Sequence, residues 1–268
     1  MGLDLRKAAI VAMMSASIAG GAQAQPITAL AASYRLDVGP ITPITIDFAA
    51  AFSPTDVRAS AEVRTRGISA IFSEYNAKAQ ADGVIENDLI RPSRFSLTQY
   101  RRDPAALQWS AAGKLTMSHP AHRSPVVQAK IEQATTPETA DPVTAILRVA
   151  TTLGKSPCAS TQRIFDGQDV VDLTFSDRDA AQLAGKSAYR GPVRRCEVRW
   201  HAVAGRAAER GDPDDVYGLS FALLGPLASG QPFWLPVAMT GSIKGLGFSA
   251  YATRINLNGA DLATAGTN

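Results

Sequence analysis

The chain has little of what most catalytic and cofactor sites are built from. Its 268 residues include two cysteines and three histidines, and aromatic residues make up 7%. Three histidines, His119, His122 and His201, give few ways to assemble the three or four fixed ligands that zinc requires. His119 and His122 lie in the proline-containing run His119-Pro120-Ala121-His122, which reads as a solvated loop. No HExxH, GxSxG or CxxC occurs, so metalloprotease, serine-hydrolase and dithiol-redox chemistry lack their local signatures. Gly185-Lys186-Ser187 lacks the companion glycines of a phosphate loop, and Gly241-Ser242-Ile243-Lys244-Gly245 reads as a hairpin turn. Asp177 with Asp179, and Asp214-Asp215, are acid pairs in loop-like segments, where carboxylates are ordinarily solvated. No cofactor and no metal site is expected, and the chain reads as non-enzymatic.

Neither sign of charge dominates. With 27 basic and 24 acidic residues the net charge is +3, which argues against a dedicated nucleic-acid binder. Beyond the first 25 residues no run of 18 or more apolar residues occurs, so no membrane-spanning helix is expected.

Residues 1–24 have the order of a secretory signal peptide. Arg6 and Lys7 supply the positive start, Ala8–Ile18 the apolar stretch, and Ala22-Gln23-Ala24 the small-x-small cleavage pattern. Cleavage after Ala24 makes the mature protein periplasmic, in an oxidising compartment. There an even cysteine pair reads as a disulfide, so Cys158 and Cys196 are expected to be bonded.

From residue 25 onward the dominant period is two. Val57, Ala59, Ala61 and Val63 alternate with Arg58, Ser60, Glu62 and Arg64, a strand with one dry and one wet face. Ser53-Pro54-Thr55 joins it to the run Ile44–Phe52 as a hairpin, while Asp82-Gly83 and Asp103-Pro104 read as breakers. Asp166-Gly167 marks a second hairpin. Cys196, Val198 and Trp200 share a face opposite Arg195, Glu197, Arg199 and His201. One helix stands out: Asp141 caps it, Pro142 opens it, and Val143, Ile146, Leu147, Ala150 and Leu153 form its apolar stripe. Residues 118–140 read as a long loop and 259–268 as a flexible tail.

The fold expected is a single all-β domain over residues 25–268, mainly antiparallel, with one amphipathic helix and a curved, partly open barrel-like sheet. A sheet of this kind can enclose an apolar small molecule or lipid. The residues whose strand positions suit such a lining are Phe48, Phe95, Trp109, Trp200, Phe221 and Trp234. Core packing accounts for the same six positions. Arg101-Arg102 and Arg190 with Arg194-Arg195 are candidates for an anionic group or an envelope protein partner. The leading reading is an apolar-ligand binder; the alternatives are a structural or interaction module in envelope assembly and an envelope hydrolase.

Several short motifs recur in one order. They are Tyr34-Arg-Leu, Gly67-Ile-Ser-Ala-Ile-Phe72, Arg91-Pro-Ser-Arg-Phe95, Asp141-Pro-Val-Thr-Ala-Ile-Leu147, Cys158 and Phe165-Asp-Gly167. Val171-Asp-Leu173, Tyr189-Arg-Gly-Pro192, Cys196-Glu-Val-Arg199 and Leu235-Pro-Val237 complete the set. In that order they resemble a bacterial envelope family, domain of unknown function 3108. The resemblance implies an exported β-rich protein and transfers no activity and no catalytic residue.

Overall fold

A computed structural model describes residues 25–38, 41–65, 76–100, 103–118, 123–151, 156–211, 214–243 and 246–262. The signal-peptide reading, His119, His122, Arg101, Arg102 and the Gly67–Phe72 motif lie outside these residues.

The alternating segments form fourteen strands of one antiparallel sheet. In chain order these are β1 (Ala29–Val38), β2 (Ile41–Phe52), β3 (Asp56–Thr65), β4 (Asn76–Glu86), β5 (Leu89–Gln99), β6 (Ala105–Trp109) and β7 (Leu115–Ser118). Then come β8 (Ser160–Phe165), β9 (Val170–Leu183), β10 (Gly191–Ala204), β11 (Asp215–Pro226), β12 (Pro232–Ile243), β13 (Leu246–Leu257) and β14 (Ala260–Asp261). Among the described residues three helices accompany them: α1 (Pro125–Ala134), α2 (Pro142–Ala150) and the short α3 (Arg206–Arg210).

Strand order is β7-β6-β5-β4-β3-β2-β1-β13-β12-β11-β10-β9-β8, with β14 paired to β13. Two meanders therefore join where β1 pairs with β13 (Leu30 with Leu257), and β7 and β8 are left as outer edges. The sheet curls without closing. Phe52 of β2 meets Phe233 of β12 edge-to-face at 5.6 Å, and Gln231 donates to Asp88 at 2.8 Å, so the hairpin ends of the two meanders touch. The chain between α1 and α2 fills the gap at the edges. Trp109 Nε1 of β6 donates to the Thr139 carbonyl at 3.0 Å, and Ala140 pairs with Ile164 of β8.

The turn between β4 and β5 shows how local chemistry and packing divide the work. Asp82-Gly83, read as a breaker, lies inside β4, opposite a bulge at Ser93 of β5. Gly83 suits the place because an added Cβ would press on Ile90, the Arg91 carbonyl and Val57, and a strand glycine commonly marks such a close approach. The chain reverses at Asn87-Asp88, both with positive φ, the two-residue turn that matches strand twist.

Helix α2 is the centre of the core. Asp141 Oδ1 accepts from the N–H groups of Val143 and Thr144, as the capping pattern requires. The apolar-stripe reading anticipated one packed face; instead α2 is buried on nearly every side. Val143, Leu147 and Ala150 join the main core, Val149 a second cluster with Cys158, Phe175, Cys196, Val198, Leu219 and Phe221, and Ala145 a third with Ala140, Ile164 and Val171. The burial extends to its polar residues, Thr144 and Arg148. About eight strands make a barrel that side chains alone can fill. The longer sheet here leaves room for an element about 10–12 Å across, the width of a helix. α2 takes that room, touching β3, β4, β5, β8 and β12.

Arg148 follows α2 into the core, donating from Nε to the Ile90 carbonyl at 2.6 Å and from Nη1 to the Glu138 carbonyl at 2.7 Å. A buried guanidinium is tolerated because these carbonyls take its protons. The stretch read as one long loop, 118–140, contains α1. Ser124 caps it by accepting from Val127 N–H, and Pro125 opens it.

Candidate functional site on the outer face

Cys158 and Cys196 form a disulfide, with Cα atoms 5.1 Å apart. Both are about 1% exposed. The bond ties the chain leaving α2 to the core face of β10, across the intervening β9.

The six aromatic residues proposed as a ligand lining are distributed over three packing clusters. Phe48, Phe95 and Trp109 belong to the main core, Phe221 and Trp234 to the cluster around the disulfide, and Trp200 to the smallest cluster. Each packs against other side chains of its cluster.

The second half carries a set of ion pairs across β9 and β10. Arg194 pairs with Asp177, Arg195 with Asp179, and Arg178 with Glu197. Arg195 accordingly holds the Asp179 carboxyl below its usual range. Of the arginines read as anion-binding candidates from sequence, Arg194 and Arg195 thus already have carboxylate partners, while Arg190 is exposed. His201 Nδ1 lies 2.7 Å from Asp214 Oδ1, with side chains 58% and 36% exposed. Directly across the strand is Asp172, bound by both arms of Arg163 at 2.8 Å. This histidine stands among charges in solvent, not beside a nucleophile with a buried base.

Open concavities lie on the outer face of the first half. Register places two rows of side chains across the strands. One runs Ala29, Ala51, Arg58, Asp82, Arg94 and Gln108 over β1 to β6. The next runs Ala31, Ala49, Ser60, Gln80, Ser96 and Ala106. Their neighbours in sequence, Leu30, Ala50, Val57, Ala59, Ala81, Phe95 and Leu107, are buried against the core. The short side chains of the second row leave a trough between taller charged rows. One groove of about 750 Å³ is lined by Arg58, Asp82, Arg94, Ser93 and Gln108 with Trp109 at its base. A second of about 530 Å³ includes Ala49, Ser60, Gln80 and Ser96. The two grooves share Ala51, Arg58, Asp82 and Arg94.

The charges at that junction are loosely held. Arg58 Nε is 3.9 Å from Asp82 Oδ1, and Arg94 Nη1 is 4.0 Å from Asp82 Oδ2. Both lie beyond hydrogen-bond reach. Elsewhere on the sheet Arg64 reaches Glu62 at 2.5 Å, Arg163 reaches Asp172 at 2.8 Å and Arg254 reaches Asp261 at 2.9 Å.

Sequence reasoning assigned Arg58 to a wet strand face but had no means of joining it to Asp82 and Arg94. The bulge decides that meeting. The β4–β5 pairing runs Glu86 with Leu89, Ile85 with Ile90 and Gly83 with Pro92, and the extra residue Ser93 on β5 then shifts it so that Asp82 faces Arg94. Without the bulge Asp82 would oppose Ser93, and Arg94 would turn to the other face.

No family model matches the chain, and no curated protein does. Among solved structures the chain is similar to a β-barrel-like protein of domain of unknown function DUF1849 from Brucella abortus. The TM-score is 0.44 and the identity 12%, over 87% of this chain and 98% of that one. That neighbour carries a different domain name from family 3108, whose motifs the sequence resembles; what the comparison returns is a β-barrel-like domain of unknown function.

Proposed function

We propose that the protein is an exported, non-catalytic module of the bacterial envelope that binds its partner or ligand on the outer face of β1–β6. The observation that carries this reading is the division of the sheet's two sides. The concave side is occupied by α2 and the core, whereas two open grooves lie on the opposite face of β1–β6; a groove of about 830 Å³ over β9–β12 is lined by arginines already paired with carboxylates, Arg178 with Glu197 and Arg195 with Asp179. A lipid-like molecule enclosed by the sheet would compete with α2 for the same volume, so the surface reading takes precedence over the carrier reading. The disulfide and the order of the family-3108 motifs favour an exported protein.

A photo-crosslinking residue placed at Ser60, Gln80 or Ser96 and activated in intact cells tests it, with Ala180 on β9 as an exposed control. Adducts in envelope fractions at the first three positions and none at Ala180 are expected. Equal labelling at all four would overturn it.

A further inference from the structure

We propose that Arg58 and Arg94 bind a phosphate-type oxyanion where the two outer-face grooves meet. This rests on the outer-face reading above and names the chemistry of the ligand.

Three observations converge. Arg58, Asp82, Arg94 and Gln108 are directly opposed on β3, β4, β5 and β6, so their side chains rise from one row on one face. Both grooves are lined by Arg58, Asp82 and Arg94. The two guanidiniums flank a single carboxylate and neither forms a hydrogen bond to it, at 3.9 and 4.0 Å. Arg199 is the other long pair, 3.8 Å from Asp214, but there the carboxylate is taken by His201 at 2.7 Å. At the groove junction no such competitor explains the slack.

The local charge is that of two cations and one anion, so a monoanion is accepted there without excess. An arginine fork presents parallel N–H groups that match oxygens in pairs. One carboxylate has only two oxygens, which Asp82 must divide between two forks. A tetrahedral oxyanion has enough oxygens to receive both forks at once, with the Gln108 amide as a further donor from the same row. The small side chains Ala51, Ala49 and Ser60 beside the junction leave open space for whatever carries that group. A groove of about 750 Å³ is within the range that encloses a small molecule.

The experiment measures binding of inorganic phosphate by calorimetry against chloride at equal ionic strength. A second arm measures cosedimentation with phosphatidylcholine vesicles, with and without phosphatidylglycerol. The proteins are wild type, Arg58→Ala, Arg94→Ala, Asp82→Asn and the control Arg254→Ala, whose arginine is exposed and paired with Asp261. Each groove arginine should contribute about tenfold to affinity. Asp82→Asn should tighten binding several-fold by removing the competing charge, and Arg254→Ala should leave it unchanged. Arg58→Ala and Arg94→Ala are surface changes, and matching thermal melts show that any loss is local. Binding of free phosphate assigns the site to a soluble phosphorylated ligand. Binding only to vesicles that contain phosphatidylglycerol, and lost in Arg58→Ala and Arg94→Ala, assigns it to a lipid headgroup. Absence of both, or binding indifferent to Arg58 and Arg94, overturns the proposal. Crosslinks at Ser60, Gln80 and Ser96 together with failure of both binding arms would reject the anion and leave the outer-face reading standing; loss of the crosslinks as well would remove both.

Discussion

Replacing both cysteines by alanine should lower stability by about 4 kcal/mol, and the size follows from topology. The bond spans 38 residues of chain, and closing a loop of that length removes about 4 kcal/mol of denatured-state entropy at room temperature. The loop contains β8, β9 and the start of β10, so breaking the bond frees three neighbouring strands of one edge in the denatured chain. The folded state should change little, because Cys158 and Cys196 sit among Val149, Phe175, Val198, Leu219 and Phe221, which hold that cluster without the sulfurs. For a chain of this size about 2–4 °C of melting temperature accompanies each kcal/mol, so the melt should fall by about 8–16 °C. Urea unfolding of wild type with and without reductant, and of Cys158→Ala/Cys196→Ala, measures it. The reduced and double-alanine proteins should agree, with a steeper urea dependence than the oxidised form because their denatured chain is more expanded. Identical midpoints for oxidised and reduced wild type would refute the reasoning.

Three further outcomes are expected. Leu147→Ala, at a side chain about 1% exposed at the centre of α2, should cost about 3 kcal/mol in urea unfolding; a loss below about 1 kcal/mol would mean that α2 does not fill the sheet. Burial raises the Asp141 carboxyl above its usual range, and Oδ2 has no hydrogen-bond partner among the described residues. A raised pKa means that the folded state favours the protonated acid, so the contribution of Asp141 is full at low pH and declines as pH rises through its folded value. Asp141→Asn keeps a competent cap, and its stability relative to wild type should rise between pH 4 and 7 (a range of about 3 units) in chemical denaturation; a constant difference would contradict the burial argument. Gly205→Ala should destabilise by about 2 kcal/mol or more in thermal melts, since Gly205 has φ +104° and an added Cβ would meet Asp169 and the Gln168 carbonyl; a neutral result would contradict that packing.

The parts legible before folding are those that neighbours in the chain decide. A period of two produced strands, and the Ser53-Pro54-Thr55 and Asp166-Gly167 turns fell between the strands they were read to join. Asp141 and Pro142 marked the start of α2 because a cap acts on N–H groups two and three residues away. The cysteine pairing was legible because only two cysteines exist. Helix α1 was not legible: its apolar content is sparse, and the prolines around it resemble loop punctuation. The all-round burial of α2 was not legible either, since a stripe of apolar residues states which side is dry but not how many surfaces will surround it. Only the tertiary structure joined β1 to β13, curled the sheet around α2, and brought Arg58, Asp82 and Arg94 into one row. The physical reason is register. A side chain's face is set by its own strand, but its neighbours are set by hydrogen-bond pairing across strands, and a single bulged residue, Ser93 on β5, decides that Asp82 meets Arg94.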